Sequence, residues 1–301
     1  MSRQIRAIWP ATLALVPLGC VLLSGCAPLM AFFQGGLASD GGTPRVAMQI
    51  TEDSDPVAFE RVIAELEARD IHCTIIVNDT FVAQNCGRIS ELADAGFEIM
   101  AYARPPEPEG QIVTMSMLSY GEQETLITRV KTAIDACLGI ETTGIRCYRF
   151  DQNDDTYAII DTLGFQFNLG FVAHTTSCLP GHEDDVLPYQ GSDYNFRAVP
   201  MHSVNVGARW AAFCDMPFRN DDPADWQALL AGELDSMTAQ GYPLLVEFHP
   251  YFTGVDEGRF EAFVNFLDYA VLRNTQFMTA AELVEWASTS QADDPCQTCG
   301  Q

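Results

Sequence analysis

Basic residues are scarce in this chain. Lysine and arginine together number 16 against 41 aspartates and glutamates, which gives a formal net charge of −25 at pH 7. Such an acidic protein repels the phosphates of nucleic acids, so nucleic acid is excluded as a partner. A glycine-rich phosphate loop after an apolar run is also missing, and nucleotide binding therefore has no support.

The amino-terminal apolar segment lacks the continuity of a membrane-spanning helix. Arg3 and Arg6 precede it, and residues 7–23 are largely apolar but interrupted by two prolines. This pattern predicts a secretory signal over residues 1–25. The tetrapeptide Leu-Ser-Gly-Cys that ends at Cys26 resembles a bacterial lipoprotein processing site. The resemblance implies that Cys26 is lipidated and anchors the protein to a membrane of the bacterial cell envelope. In the alternative, an ordinary cleaved signal, Cys26 is an unmodified thiol.

Eight cysteines remain besides Cys20 and Cys26. An even number in an exported chain favours disulfides over free thiols. Spacing does not determine the connectivity, but three pairs are plausible neighbours: Cys73–Cys86, Cys137–Cys147 and Cys178–Cys214. The remaining pair, Cys296 and Cys299, lies in a polar tail and is expected to form a local disulfide.

Composition divides the mature chain into four parts. Residues 26–44 are rich in glycine and predict a flexible tether. Residues 45–287 alternate between apolar runs and segments of helical periodicity, which predicts a single α/β domain. Residues 174–222 form an irregular insertion within it, and residues 288–301 a polar tail containing cysteine.

The apolar runs predict strands joined by helices. Unbroken apolar strands alternating with helices indicate a parallel sheet covered by helices. About seven such units in this length favour a (β/α) barrel over an open sheet. The predicted strands are 46–50, 73–77, 97–102, 145–150, 165–171, 244–248 and 275–278.

Three carboxylates, Glu52, Asp53 and Asp55, follow the first predicted strand. The carboxyl ends of strands are where α/β folds bind ligands. A purely structural interpretation explains Asp55 as the N-cap of a helix that begins at Pro56. That interpretation leaves Glu52 and Asp53 unexplained.

Several stretches carry a resemblance to a known family, among them Tyr148-Arg149 and the segment ending in His249. The stretches are 71–77, 95–99, 148–149 with 153–156 and 163–165, and 244–252 with 279–283. In this order they resemble the second strand, the strand before the histidine motif, the arginine motif, and the last histidine motif with the closing helix of the polysaccharide deacetylase (NodB-homology) family. The resemblance spans about residues 45–287 and implies a distorted (β/α) barrel that acts on N-acetylated carbohydrate.

The chain departs from the family pattern where the family binds its metal. The resemblance places Asp53 at the position of the catalytic base but Ser54 at that of the metal-binding aspartate. Tyr102 and Pro106 stand where two histidine ligands are expected. Serine, tyrosine and proline do not replace a carboxylate and two imidazoles around zinc or cobalt. We therefore expect no metal and no other cofactor.

The resemblance leaves Asp53, Arg149 and His249 as candidate catalytic residues, all at predicted carboxyl ends of strands. A carboxylate base and a histidine acid can move protons in a metal-free hydrolysis. The alternative is that His249 is a buried remnant. A rebuilt metal site from Asp53, Asp55, His249 and another histidine has no support in their spacing. Three aromatic residues are the candidate substrate contacts: Tyr102, Tyr251 and Phe252.

Together these features predict an envelope lipoprotein that acts on N-acetylated polysaccharide or peptidoglycan, with hydrolysis weakened, metal-free or lost. The alternative is a non-catalytic scaffold that interacts through residues 174–222.

Overall fold

The computed structural model describes residues 42–52, 54–109 and 111–292. The strands in chain order are β1 (Arg45–Glu52), β2 (Thr74–Val77), β3 (Glu98–Ala103), β4 (Gly144–Cys147), β5 (Phe167–Val172), β6 (Tyr189–Gln190), β7 (Arg197–Met201), β8 (Ser203–Asn205), β9 (Trp210–Ala212), β10 (Leu244–Phe248) and β11 (Gln276–Met278). The helices are α1 (Pro56–Glu67), α2 (Asp79–Asp94), α3 (Tyr120–Leu138), α4 (Asp154–Thr162), α5 (Pro223–Gln240), α6 (Pro250–Thr253), α7 (Glu257–Leu272) and α8 (Ala280–Ala292).

The main sheet runs in the order β10-β1-β2-β3-β4-β5-β7-β6, and β11 pairs with the start of β1. The seven strands from β10 to β7 are parallel to their neighbours. Arg146 on β4 pairs with Glu247 on β10 although three strands separate β4 from β10 in the sheet. This contact shows that the sheet curls strongly. The predicted α/β barrel of about seven strands is confirmed.

Alternate residues of the strands face two apolar layers. On β1, Val46, Met48 and Ile50 pack in the layer shared with the surrounding helices, whereas Ala47 faces the interior of the barrel. Helix α8 contributes Leu283 to that interior layer. Its first amide donates to the side chains of two residues at the amino ends of β2 and β3. The helix therefore covers the amino end of the barrel and leaves the carboxyl ends of the strands open.

Side-chain caps begin α1 and α3. Asp55 accepts hydrogen bonds from the amides of Val57 and Ala58, so its structural role as the N-cap of α1 is confirmed. Ser119 and Glu122 form a capping box at α3. No helix in the described part of the chain is both long enough and apolar enough to cross a membrane.

The described cysteines pair differently from the prediction. Cys86 on α2 is bonded to Cys137 on α3, while Cys73, Cys147, Cys178 and Cys214 are free. The predicted neighbours 73–86, 137–147 and 178–214 were wrong. Cys73 and Cys147 lie in the buried core layer beneath the helices, and Cys214 is buried beside β10. Helices α2 and α3 pack side by side and bring their two cysteines together. Cys26, Cys296 and Cys299 lie outside the described residues.

Two predicted segments need correction. The strand 145–150 ends at Cys147, because Arg149 and Phe150 adopt left-handed φ values of 58° and 57° and form a turn. The insertion 174–222 is not irregular throughout: it contains β6 to β9, and β7 is a parallel strand of the main sheet. The sequence did not predict β7, because the strand contains Pro200 and proline is disfavoured inside a sheet. It is tolerated here because β6 pairs only with Arg197 and Ala198.

Candidate functional site

A cavity of about 540 Å³ opens at the carboxyl ends of the strands. One side is formed by the end of β3 and the turn after β4, another by the residues following β10. Residues 209–220 close the remaining side, so the segment predicted as an insertion is part of the cavity wall. The side chains around it are Tyr102, Arg146, Tyr148, Arg149, Phe150, Arg209, Ala212, Cys214, Met216, Pro217, Arg219, Asn220, His249 and Tyr251.

Four of the six predicted site residues meet in this cavity. Tyr102 and His249 are buried in its floor, Tyr251 is half-buried, and Arg149 is exposed. The fifth, Phe252, does not line the cavity; its ring lies 5.5 Å from the guanidinium carbon of Arg259. The sixth, Asp53, lies outside the described residues.

His249 is held by a buried carboxylate. Its Nδ1 lies 2.6 Å from Asp215 Oδ1, and its backbone amide donates to Asp215 Oδ2 at 2.8 Å. Thr253 donates to that second oxygen as well, at 2.6 Å. A histidine oriented in this way by a carboxylate has the geometry of a general acid or base. Asp215 reaches this place because Cys214 pairs with Glu247 in a parallel bridge beside β10.

The second ring nitrogen of His249 faces inward. Its Nε2 lies 3.3 Å from Oε1 of Glu247, which is fully buried. The same oxygen pairs with the buried Arg146 and accepts a hydrogen bond of 2.6 Å from Thr51. Arg146 also donates to Thr51 at 3.0 Å. Burial lowers the pKa of Arg146, because an apolar environment disfavours the charged guanidinium.

This buried group lies directly under the cavity. The guanidinium carbon of Arg146 is 4.4 Å from the ring centre of Phe150 and 5.8 Å from that of Tyr102. A buried charge pair is stable only when both partners are present and hydrogen-bonded. The arrangement therefore places a buried ion pair beneath aromatic walls.

Arg149 and the rings near it belong to the turn after β4. Its guanidinium carbon lies 5.3 Å from the ring centre of Tyr148, and that ring packs edge-on against Tyr102. On the opposite side, the ring of Tyr251 lies 5.4 Å from that of His249. Aromatic rings beside a few polar groups are typical of small-ligand sites.

The residues at the family's metal positions do not fit a metal. Ser54 and Pro106 are exposed, and Tyr102 is a buried phenol. A different group of possible ligands exists: atoms of Cys214, Glu247 and His249 all lie within 4.8 Å of one another.

That second group is also poorly suited to a divalent ion. The Arg146 guanidinium already neutralises Glu247 and would repel a second cation at the same oxygen. Burial and the neighbouring Asp215 raise the pKa of the Cys214 thiol to about 12, whereas a thiolate is the form that binds zinc. The expectation that the protein uses no cofactor stays a prediction.

Sequence reasoning missed Arg146, Asp215 and Glu247. Two of the three carry a usable signal, because Arg146 and Glu247 are lone charges inside the apolar strands β4 and β10. Charges in such positions are rarely buried unless they are paired. Asp215 is also a lone charge, between Phe213-Cys214 and Met216-Pro217-Phe218, but this stretch lies in the segment predicted as an irregular insertion, where no predicted strand marked the charge as buried.

Comparison with solved structures reveals similar folds. A protein from Mycobacterium smegmatis assigned as a polysaccharide deacetylase superposes with a TM-score of 0.62 at 17% identity, covering 83% of this chain and 92% of that one. The allantoinase Puue superposes with a TM-score of 0.63 at 15% identity, over 84% and 93% of the two chains. A family 4 carbohydrate esterase from Streptomyces lividans in complex with acetate gives a TM-score of 0.51 at 10% identity, over 78% and 93%.

The chain has the polysaccharide deacetylase fold. No protein-family model matches the chain, and no curated protein matches it. At these identities the likeness establishes the fold alone. Because the polysaccharide deacetylase fold also carries an allantoinase, the ligand has to be argued from the site itself.

Proposed function

We propose that the protein binds N-acetylated glycans in the cavity that contains Tyr102, Arg149, His249 and Tyr251. The observation that carries the proposal is the meeting of aromatic rings and hydrogen-bonding groups at the open, carboxyl end of a deacetylase-type barrel. Neighbours of this fold include a polysaccharide deacetylase and a carbohydrate esterase, which supports a carbohydrate ligand. Residues 209–220 contribute to the cavity wall, which favours ligand binding over a separate scaffold surface.

We propose further that the cavity binds without metal-assisted hydrolysis. The residues at the family's metal positions lack ligand atoms of the required kind. In addition, Nε2 of His249 faces Glu247 at 3.3 Å, and that nitrogen is the one left to exchange a proton once Nδ1 is held by Asp215. A proton on Nε2 therefore points at Glu247 and is not positioned to protonate the leaving group of a bound substrate.

Calorimetric titration of the full-length protein, kept in mild detergent, with chitotetraose tests the binding proposal. We expect binding that weakens about tenfold or more in Tyr251→Ala, because that ring forms part of the cavity wall. Tyr120→Ala is the matched control, since Tyr120 is exposed on α3 and does not line the cavity. Absence of binding to any N-acetylated oligosaccharide would overturn the proposed function.

Release of acetate from the same oligosaccharide tests the second part. We expect no release above the buffer rate, with or without added zinc or cobalt. Release that stops when a chelator is added would contradict the proposal of a metal-free site, even if binding were confirmed.

We also propose that the protein is exported and held at a bacterial membrane by a lipid on Cys26. The Cys86–Cys137 disulfide supports export, because disulfides persist in oxidising compartments. In a bacterial host, Cys26→Ala should abolish incorporation of labelled fatty acid and release the protein from the membrane fraction. Unchanged labelling of that variant would refute the anchor.

A further inference from the structure

The cavity collects positive charge in a strongly acidic protein. The chain carries a formal net charge of −25, yet four arginines line this one cavity: Arg146, Arg149, Arg209 and Arg219. No aspartate or glutamate is among the described residues that line it. The carboxylates of Asp215 and Glu247 lie beneath the floor, bonded to His249 and Arg146.

Arginines elsewhere in the described chain are mostly neutralised by carboxylates. On the outer helices or just after their ends, each of the following forms an ion pair with an aspartate or glutamate: Arg61, Arg69, Arg88, Arg129 and Arg273. In the cavity, Arg146 is paired with Glu247. Arg149, Arg209 and Arg219 are exposed and have no such partner among the described residues, although carboxylates outnumber basic groups in the chain.

The three unpaired guanidinium groups come from separate segments. Arg149 lies in the turn after β4, Arg209 at the tip of the β8–β9 hairpin, and Arg219 in the loop before α5. Arg219 is tied back by a hydrogen bond of 3.3 Å from its Nη1 to the carbonyl of Met216. Like charges around one cavity repel one another, and an anion among them relieves that repulsion.

We propose that the cavity selects glycans that carry an oxyanion, a carboxylate or a sulfate ester, over neutral glycans. Guanidinium groups bind both oxyanions through paired, charge-assisted hydrogen bonds. The surrounding acidic surface repels anions in general, so only an anion that fits among the arginines gains from the site. This inference rests on the proposed function, because it takes the ligand to be a saccharide packed on the aromatic walls.

The test compares two tetrasaccharides of equal length and equal N-acetyl content, using the full-length protein. One alternates N-acetylglucosamine with glucuronic acid; the other is the same molecule with its carboxyl groups reduced to alcohols. At low ionic strength, calorimetry should give at least about tenfold tighter binding for the acidic form, and the preference should shrink with added salt. Chitotetraose and its sulfated form provide a second pair, which distinguishes a sulfate ester from a carboxylate as the preferred anion.

Variants of single arginines test whether the preference for the acidic sugar arises from the cavity. Arg209→Gln and Arg219→Gln should each reduce the preference for the acidic over the reduced sugar about fivefold. Arg129→Gln is the control, because it removes the same charge from an ion pair outside the cavity.

Equal binding of the acidic and reduced sugars would overturn this inference and leave the proposed glycan binding intact. If no oligosaccharide binds, the proposed function fails. Titration with inorganic sulfate then tests whether the cavity still binds an anion. Sulfate binding that is lost in Arg209→Gln would uphold an anion site of another kind, and absence of sulfate binding would overturn it as well.

Discussion

At the scale of single residues, the buried pair of Arg146 and Glu247 dominates the energetics of the site. Glu247→Gln preserves the shape but leaves the guanidinium of Arg146 buried without a counter-charge. Removing one partner of a buried pair costs about 3–5 kcal/mol, because the remaining charge stays desolvated. We expect a loss of this size in the free energy of unfolding, measured with urea.

Two comparison variants test whether the loss of stability comes from the unpaired buried charge. Replacing both Arg146 and Glu247 by methionine removes the unpaired charge and should recover most of the loss. Asp235→Asn breaks the exposed pair with Arg273 and should cost less than about 1 kcal/mol. A loss in Glu247→Gln no larger than in Asp235→Asn would contradict a buried, desolvated pair.

The Cys214 thiol gives a prediction about alkaline pH. Burial, with Asp215 beside it, raises its pKa from 9.0 to about 12 in the folded protein. As the pH rises above 9, the unfolded chain ionises this thiol and the folded protein does not, so stability falls. Between pH 8 and pH 10 this one group should account for about 1.4 kcal/mol.

The measurement compares wild-type protein with Cys214→Ala by urea unfolding at both pH values. Other titrating groups act equally in the two proteins and cancel in the difference. The variant should lose about 1.4 kcal/mol less than wild type between pH 8 and pH 10. Parallel pH profiles for the two proteins would mean that the thiol is not shielded from water.

The sequence predicted the residues that line the cavity better than the buried ion pair beneath them. Tyr102, Arg149, His249 and Tyr251 were placed at strand ends, and the parallel fold brings strand ends together. That pair consists of Arg146 and Glu247, which meet only because the sheet curls far enough for β4 to approach β10. That curvature arises from packing across the whole domain and leaves no local pattern in either strand.

At the scale of elements, the disulfide joins the two neighbouring helices α2 and α3. Cys86 and Cys137 are 51 residues apart, so their bond closes a long loop in the unfolded chain. The loss of chain entropy predicts that replacing both by alanine lowers the free energy of unfolding by about 3–4 kcal/mol. Wild-type protein unfolded in the presence of a reductant should match the double variant.

Cys178→Ala is the control for the disulfide, because Cys178 is a free, half-buried thiol. Its stability should remain as sensitive to reductant as that of wild-type protein. A double variant of Cys86 and Cys137 that unfolds at the wild-type urea concentration would contradict a stabilising bond.

Element boundaries followed the local chemistry wherever that chemistry was unambiguous. The apolar run at 244–248 predicted β10 at its observed bounds. Prediction failed where tertiary context overrides the local signal. Pro200 is compatible with β7 only because one side of the strand lacks a partner there. The left-handed backbone at Arg149 ends β4, although an apolar run continues to Phe150.

At the scale of the whole molecule, the net charge of the protein is negative, whereas the charged side chains that line the cavity are positive. The fold explains how both occur in one chain. The carboxylates are spread over the outer helices and the loops, while the carboxyl end of the barrel presents Arg149, Arg209 and Arg219. Composition alone predicted a general repulsion of anions. Composition could not predict the positively charged cavity, because its arginines come from distant parts of the sequence and meet only in the folded protein.

The net charge of −25 leads to a prediction about salt. Excess like charge destabilises a compact chain, and added salt screens that repulsion. Salt also weakens exposed ion pairs such as those of Arg88 with Glu60 and Glu67, but each exposed pair contributes at most about 1 kcal/mol. Repulsion among the unpaired carboxylates should outweigh those losses. We therefore expect the unfolding temperature to rise by about 3–6 °C between 10 mM and 500 mM NaCl, which corresponds to about 1–2 kcal/mol.

The scan is made by circular dichroism, with KCl at equal ionic strength as the control for effects specific to one cation. Equal rises in the two salts would identify screening as the cause. A fall in the unfolding temperature with salt would mean that the surface ion pairs outweigh the repulsion. The acidic surface would then stabilise the folded protein as a network of paired charges, and the unpaired arginines of the cavity would stand out from it even more sharply.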